Sequence, residues 1–118
     1  MGNPCLLVVD DDPQITSLLR IVLMRGGYDM RASHSGAEAL DLARRERPDA
    51  VLLDLHMPDV SGEDVLACLK TDCHLCDVPV IVATGDTEAP ELSGAFATLA
   101  KPFNIKHLYS TISSALGV

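Results

Sequence analysis

The sequence predicts an α/β domain in which one five-stranded parallel sheet is doubly wound, with helices on both faces. Short apolar or β-branched runs alternate with amphipathic stretches five times, and no linker, repeat or low-complexity segment interrupts them. Such alternation is the mark of βαβ units. The 118 residues suit one compact domain, and an apolar fraction of 47% with only 3% aromatics gives a core of Leu, Val, Ile and Ala. The net charge of -8 disfavours a surface that neutralises nucleic-acid phosphates or lies on anionic lipid. No apolar stretch approaches the roughly 20 residues of a membrane span, and Met1-Gly2-Asn3-Pro4 lacks the charged start of a secretory signal. The expected location is the cytoplasm, with neither nucleic acid nor membrane as a direct partner.

The elements follow in order. "CLLVVD" (5–10) reads as a buried strand ending in acid. Asp12 is placed to cap the next helix and Pro13 fits its first position; Ile15, Leu18, Leu19 and Val22 repeat at helical spacing until Gly26-Gly27 stops them. "YDMRAS" (28–33) alternates as a more exposed strand. Ser35 and Glu38 form a capping box ahead of Ala39, Leu40 and Ala43, and the helix closes before Pro48. "AVLLD" (50–54) is a third strand that runs into a loop holding Pro58 and Gly62, after which Val65, Leu66 and Leu69 line one helical face. "VPVIVAT" (78–84) is the fourth strand. From 85 to 97 the signal is poor, Pro90 and Gly94 permitting only a short helix. "TLAK" (98–101) reads as the fifth strand, and Asn104 caps a last helix striped by Ile105, Leu108, Ile112 and Ala115.

In open parallel sheets the ligand site lies at the carboxyl ends of the strands, where strand order reverses. The residues there are Asp10 and Asp11 on the first strand, Asp54 on the third, Thr84 on the fourth and Lys101 on the fifth. Three converging carboxylates force at least one pKa upward unless a cation lies between them. Mg²⁺ suits the place, because it takes one or two carboxylates, keeps several waters and completes its shell with phosphate oxygens. A hydroxyl and an ammonium opposite supply further contacts to a phosphoryl group. Elsewhere, Cys68, Cys73, His74 and Cys76 crowd "CHLC" (73–76), but no second well-spaced ligand pair completes a tetrahedral site, so the segment is read as a polar loop of reduced thiols.

With "VVDDDP" (8–13), "LLDLHMPDVSG" (52–62), "VIVATG" (80–85) and "KPF" (101–103) in this order, the chain resembles the receiver domain of two-component response regulators. The resemblance spans essentially all of residues 1–118, read as a single receiver with no output domain. It implies a flavodoxin-like sheet of strand order 2-1-3-4-5 and a cis peptide at Lys101-Pro102. It also implies Asp54 as phosphoacceptor, Thr84 and Lys101 as phosphoryl contacts, and Mg²⁺ held by Asp10, Asp11, Asp54 and the backbone carbonyl of His56. The implied partners are a sensor histidine kinase or a histidine phosphotransfer protein, with the downstream effector open and a second copy of the chain admitted. No turnover is expected beyond phosphorylation from a donor and slow autodephosphorylation.

Two departures stand out. The family's aromatic three residues before the lysine is Thr98 here, and segment 84–101 is shorter than usual, so the fourth helix is expected to be short or absent. The missing ring keeps open a degenerate receiver that only binds proteins. The D-x-D of "VVDDDP" raises a haloacid-dehalogenase-type Asp phosphatase, but this chain lacks the Thr or Val expected after that pair and a later acidic pair. A flavodoxin-like cofactor binder would need a phosphate-cradling loop where this chain carries acids.

Overall fold

A computed structural model describes residues 2–57, 59–85 and 94–117. Its elements in chain order are β1 (Cys5–Val9), α1 (Pro13–Arg25), β2 (Asp29–Ser33), α2 (Gly36–Glu46), β3 (Ala50–Asp54), α3 (Gly62–Thr71), β4 (Val80–Thr84), β5 (Ala97–Ala100) and α4 (Ile105–Leu116). The five strands form one sheet in the order β2-β1-β3-β4-β5, and every neighbouring pair is parallel. This is the flavodoxin-like, doubly wound arrangement that the sequence predicts.

The three central strands, β1, β3 and β4, are apolar on both sides because helices cover both faces. Leu6 and Val8 of β1 join Leu19, Val22 and Leu23 of α1 and Leu108 and Ile112 of α4 in one core. Leu7 and Val9 point the other way, into a second core with Ala39 and Ala43 of α2 and Val65, Leu66 and Leu69 of α3. Alternate side chains of one strand thus feed two cores, which is why β1, β3 and β4 read as unbroken hydrophobic runs.

The predicted caps are in place. The side chains of Asp12, Ser35 and Asn104 accept hydrogen bonds from the backbone N–H of Gln14, Glu38 and His107, each satisfying a donor that a helix start leaves orphaned. Gly27 ends the first crossover with φ +89°, a left-handed conformation that side chains resist. The Tyr109 hydroxyl donates to the Val22 carbonyl and ties α4 to α1.

Three readings change. The α1 stripe is rotated: Thr16, Leu19, Val22 and Leu23 are buried, while Leu18 is 59% exposed, because the helix rests on the sheet through one row and turns the neighbouring row outward. β5 begins at Ala97, one residue early, and Lys101 follows it. The segment 73–76 is not merely polar, since Leu75 is buried in the core beneath it. A fourth helix, α4, is present and is the predicted C-terminal one. The crossover between β4 and β5, where the sequence predicts a short or absent helix, falls mostly on 86–93, outside the described residues.

Candidate functional site

Strand order reverses between β1 and β3: β1 has β2 on its other side, while β3 has β4. The pairing Val9↔Leu53 brings Asp10 and Asp54 out of the sheet at the same level, and Asp54↔Ala83 and Thr84↔Ala100 carry that level across to Lys101. Residues 91 positions apart in sequence meet there, with Lys101 Nζ 2.7 Å from Asp10 Oδ2. The same ammonium is 3.5 Å from Asp54 Oδ1. Asp10, Asp54 and Thr84 are buried, and Asp11 is exposed at the rim. The Lys101 backbone N–H donates to the Thr84 carbonyl at 2.9 Å, and the following Lys101-Pro102 peptide is cis.

The apolar run of β3 aims Asp54, and the loop after it holds the carboxylate still. His56 donates its backbone N–H to Asp54 Oδ1 at 3.2 Å. Gly62 returns the chain so closely that a Cβ there would lie 2.5 Å from the Asp54 carbonyl oxygen and 2.5 Å from Leu55 Cα. Backbone atoms cannot yield as a side chain would, so glycine is required by approach. The Gly62 N–H donates to the Leu55 carbonyl at 3.1 Å and closes the loop.

Electrostatically the centre is frustrated. Burial pushes the Asp54 carboxyl above the usual carboxylate range, with the His56 N–H and the Lys101 charge pulling it back and Asp10 adding to the rise. For Lys101 burial disfavours the ammonium, but the Asp10 hydrogen bond and charge outweigh it, with help from Asp54, and the pKa ends above the ordinary lysine value. One ammonium shared by two buried carboxylates leaves an excess of negative charge, which a cation or an electrophilic phosphorus relieves. The carboxylate oxygens of Asp10, Asp11 and Asp54 all lie within 4.8 Å of one another, and among the described residues they form the one such group of three metal-capable side chains. Cys68, Cys73, His74 and Cys76 do not gather into a comparable group.

A family model for the response regulator receiver domain matches residues 6–113. The chain belongs to this family. It is similar to the polar-differentiation response regulator DivK of Brucella anthropi, 38% identical over 117 residues that cover 95% of each chain. Among solved structures it resembles the chemotaxis protein CheY4 of Vibrio cholerae, with a TM-score of 0.90, 28% identity and coverage of 98% of this chain and 100% of the other. A receiver domain protein of Clostridium thermocellum superposes with a TM-score of 0.89 at 29% identity, covering 97% of this chain and 94% of the other. A receiver accepts a phosphoryl group from the histidine of a kinase or phosphotransfer protein and signals by changing conformation, and that is the function of this domain. Membership of the receiver family also decides among the classes that "VVDDDP" left open.

All five side chains that the sequence nominates for this receiver's site stand at the carboxyl ends of its strands. Thr98, in place of the family's ring, is exposed on β5. Sequence reasoning missed Asp59, whose carboxylate accepts from the backbone N–H of Gly36 at 3.1 Å and of Ala37 at 3.2 Å. This clamps the loop after Asp54 to the first turn of α2 and, with the Gly36 hydrogen bond as the leading cause, holds the Asp59 carboxyl below its usual range. No local signal betrays it, because the partners lie 23 and 22 positions away in sequence. Ser33 was missed as well: its hydroxyl donates to the Ser35 carbonyl, and its own carbonyl accepts from the Asp10 N–H. Among the described residues no helix is long and apolar enough to cross a membrane.

Proposed function

We propose that residues 1–118 act as a single receiver in which Asp54 is the phosphoacceptor. One Asp54 oxygen forms a bond to phosphorus while the phosphorus–nitrogen bond of a phosphohistidine breaks, the freed imidazole keeping the electron pair and taking up a proton. The product is a mixed carboxylic–phosphoric anhydride, which water later hydrolyses. The observation that carries this reading is the burial of Asp54 beside Lys101, with the ammonium 3.5 Å from Oδ1. A desolvated carboxylate with a cation at its flank is poised to attack where negative charge will grow on the incoming oxygens.

Asp10, Asp11, Asp54 and the His56 carbonyl would hold Mg²⁺, and three carboxylates with one carbonyl match the hard oxygen donors that this ion prefers. Bound there, it supplies charge neutralisation on the phosphoryl oxygens. Thr84 provides a hydroxyl from the end of β4, and Lys101 an ammonium from beyond β5. In the structure that ammonium is engaged by Asp10. A phosphoryl group on Asp54 competes for it, so the position of the chain at 101–103 depends on occupancy, a population shift driven by differential contacts. A sensor histidine kinase or a histidine phosphotransfer protein is the donor we envisage, in the cytoplasm, with a second copy of the chain among the candidate output partners.

The test is intact-mass analysis after incubation with acetyl phosphate and Mg²⁺. The parent gains one phosphoryl group and Asp54→Asn gains none. Equal labelling of both moves the acceptor elsewhere, and no labelling of either supports the degenerate, protein-binding reading.

A further inference from the structure

At the opposite end of the sheet, between α3 and β4, the turn at 72–78 carries Cys73-His74-Leu75-Cys76, a pair of thiols that phosphoryl transfer does not use. The chain's four cysteines are all free thiols; Cys73 is exposed and Cys76 half-buried. Two thiols with two residues between them have the spacing of thiol–disulfide exchange motifs. Spacing alone is a weak signal, and the local geometry strengthens it. The N–H of Cys76 donates to the Asp72 carbonyl at 2.8 Å and that of Leu75 to the same carbonyl at 3.0 Å. Residues 73–75 are thereby wound into one helical turn, on which residues three apart share a face, and the Cys76 thiol donates to the Cys73 carbonyl at 3.7 Å. Residues three apart on such a turn have Cβ atoms about 5–6 Å apart. A disulfide needs about 3.5–4.5 Å, so closure asks for a local shift of roughly 1–2 Å.

The turn is also held from several directions. Asp72 accepts from the His74 N–H at 2.9 Å and from Arg44 Nε at 3.3 Å. Arg47, at the left-handed end of α2, donates Nε–H to the His74 carbonyl at 3.0 Å. Lys70 Nζ donates to the carbonyls of Cys76 at 3.2 Å and Val78 at 2.8 Å. Leu75 and Val78 are buried below. The backbone that carries the two thiols is therefore ordered before any bridge forms, which lowers the entropic cost of closing it. Cys5 is a contrast, half-buried in β1 with burial pushing its thiol up and so away from reactivity. Cys68 is a second contrast, exposed on α3 but outside the two-residue spacing.

We propose that Cys73 and Cys76 form a thiol–disulfide exchange site whose oxidant is a small-molecule disulfide of the glutathione type. The exposed Cys73 thiolate bonds to one sulfur of the oxidant as the oxidant's S–S bond breaks, and one glutathione thiolate leaves and takes up the proton that Cys73 lost. The Cys76 thiolate then bonds to the Cys73 sulfur and expels the second glutathione, which is protonated in turn. Two protein thiols lose two electrons in all, and one glutathione disulfide becomes two thiols.

The experiment treats the reduced full chain with oxidised glutathione and follows intact mass and a peptide map. The parent should lose the mass of two hydrogens through a Cys73–Cys76 bridge, while Cys68 at most carries a glutathione. Cys76→Ser should keep one glutathione on Cys73, because nothing remains to expel it. A parent that holds a stable glutathione on Cys73, or whose map places the bridge on Cys68 or between two chains, overturns the proposal. The parent's own map decides the matter without reliance on how any variant folds.

Discussion

Asp72 at one end of the sheet and Asp54 at the other use the same side chain in opposite ways. At the amino end Asp49 accepts from the Cys5 N–H at 2.7 Å, and Asp72 accepts from His74 and Arg44. Asp72 is well supplied with donors, and the His74 N–H is the chief cause that holds its carboxyl below the usual range. At the carboxyl end Asp54 is buried and raised, with one backbone N–H and a shared ammonium to serve it. Capping lowers the energy of a carboxylate and makes it structural; burial with too few donors raises it and makes it reactive. The chemistry of the domain thus depends less on having acids than on where the fold withholds their partners.

The largest expected effect separates glycines at the two ends. Gly62→Ala pushes a methyl group into the Asp54 and Leu55 backbone, and should cost about 1–3 kcal/mol of stability together with most phosphoryl uptake. Gly27→Ala meets open space and only the left-handed strain, so it should cost about 1 kcal/mol and leave uptake intact. Urea midpoints and intact-mass labelling measure both; a Gly62→Ala protein that labels normally would contradict the tight approach.

Metal binding should divide the ends next. Asp11→Ala should weaken Mg²⁺ by at least about tenfold, the loss that even an outer partner of a metal ligand produces, whereas Asp49→Ala should leave it unchanged. Calorimetry gives both numbers, and parity between the two variants removes Asp11 from the site.

The pH dependence of stability should have opposite signs. The folded pKa of Asp54 is raised, so the native state holds its proton more tightly than the unfolded chain, and stability falls as pH climbs from the ordinary 3.8 through the folded value. Asp54→Asn should lose that fall and be the more stable protein at neutral pH. The folded pKa of Asp72 is lowered, so its contribution is present above 3.8 and is lost as pH drops through the folded value. Asp72→Asn should therefore be less stable than the parent at neutral pH and converge with it in acid. Denaturation midpoints between pH 3 and 8 check both signs.

The smallest effect concerns His56, whose exposed ring lies two residues past Asp54. His56→Ala should change the lifetime of the acyl phosphate, and the remote His107→Ala should not. Identical decay of all three proteins would reduce His56 to its backbone carbonyl.

Much of this was legible because local chemistry specified it. Asp12, Ser35 and Asn104 announce helix starts, since each cap bonds to residues two or three positions away. The acids and the lysine at strand ends are visible once the strands are. Leu18 misled, because helical periodicity defines a stripe to within a residue and only contact with the sheet selects the row that is buried. Asp59 was silent, because its partners at Gly36 and Ala37 belong to another crossover. Leu75 was silent too, as one apolar residue in a polar loop carries no period.

By itself the sequence determined the alternation of elements, the two-sided burial of the strands, and the identity of the groups that could bear charge at their ends, all of which follow from patterns within a few residues. Tertiary structure alone decided that Lys101 reaches both Asp10 and Asp54, that Gly62 must press against the backbone at Asp54, and that the turn carrying Cys73 and Cys76 is gripped by Lys70, Arg44 and Arg47 through Cys76, Asp72 and His74. The reason is physical: desolvation and the sharing of one ammonium by two carboxylates depend on distances across the sheet, and no local spacing along the chain encodes those.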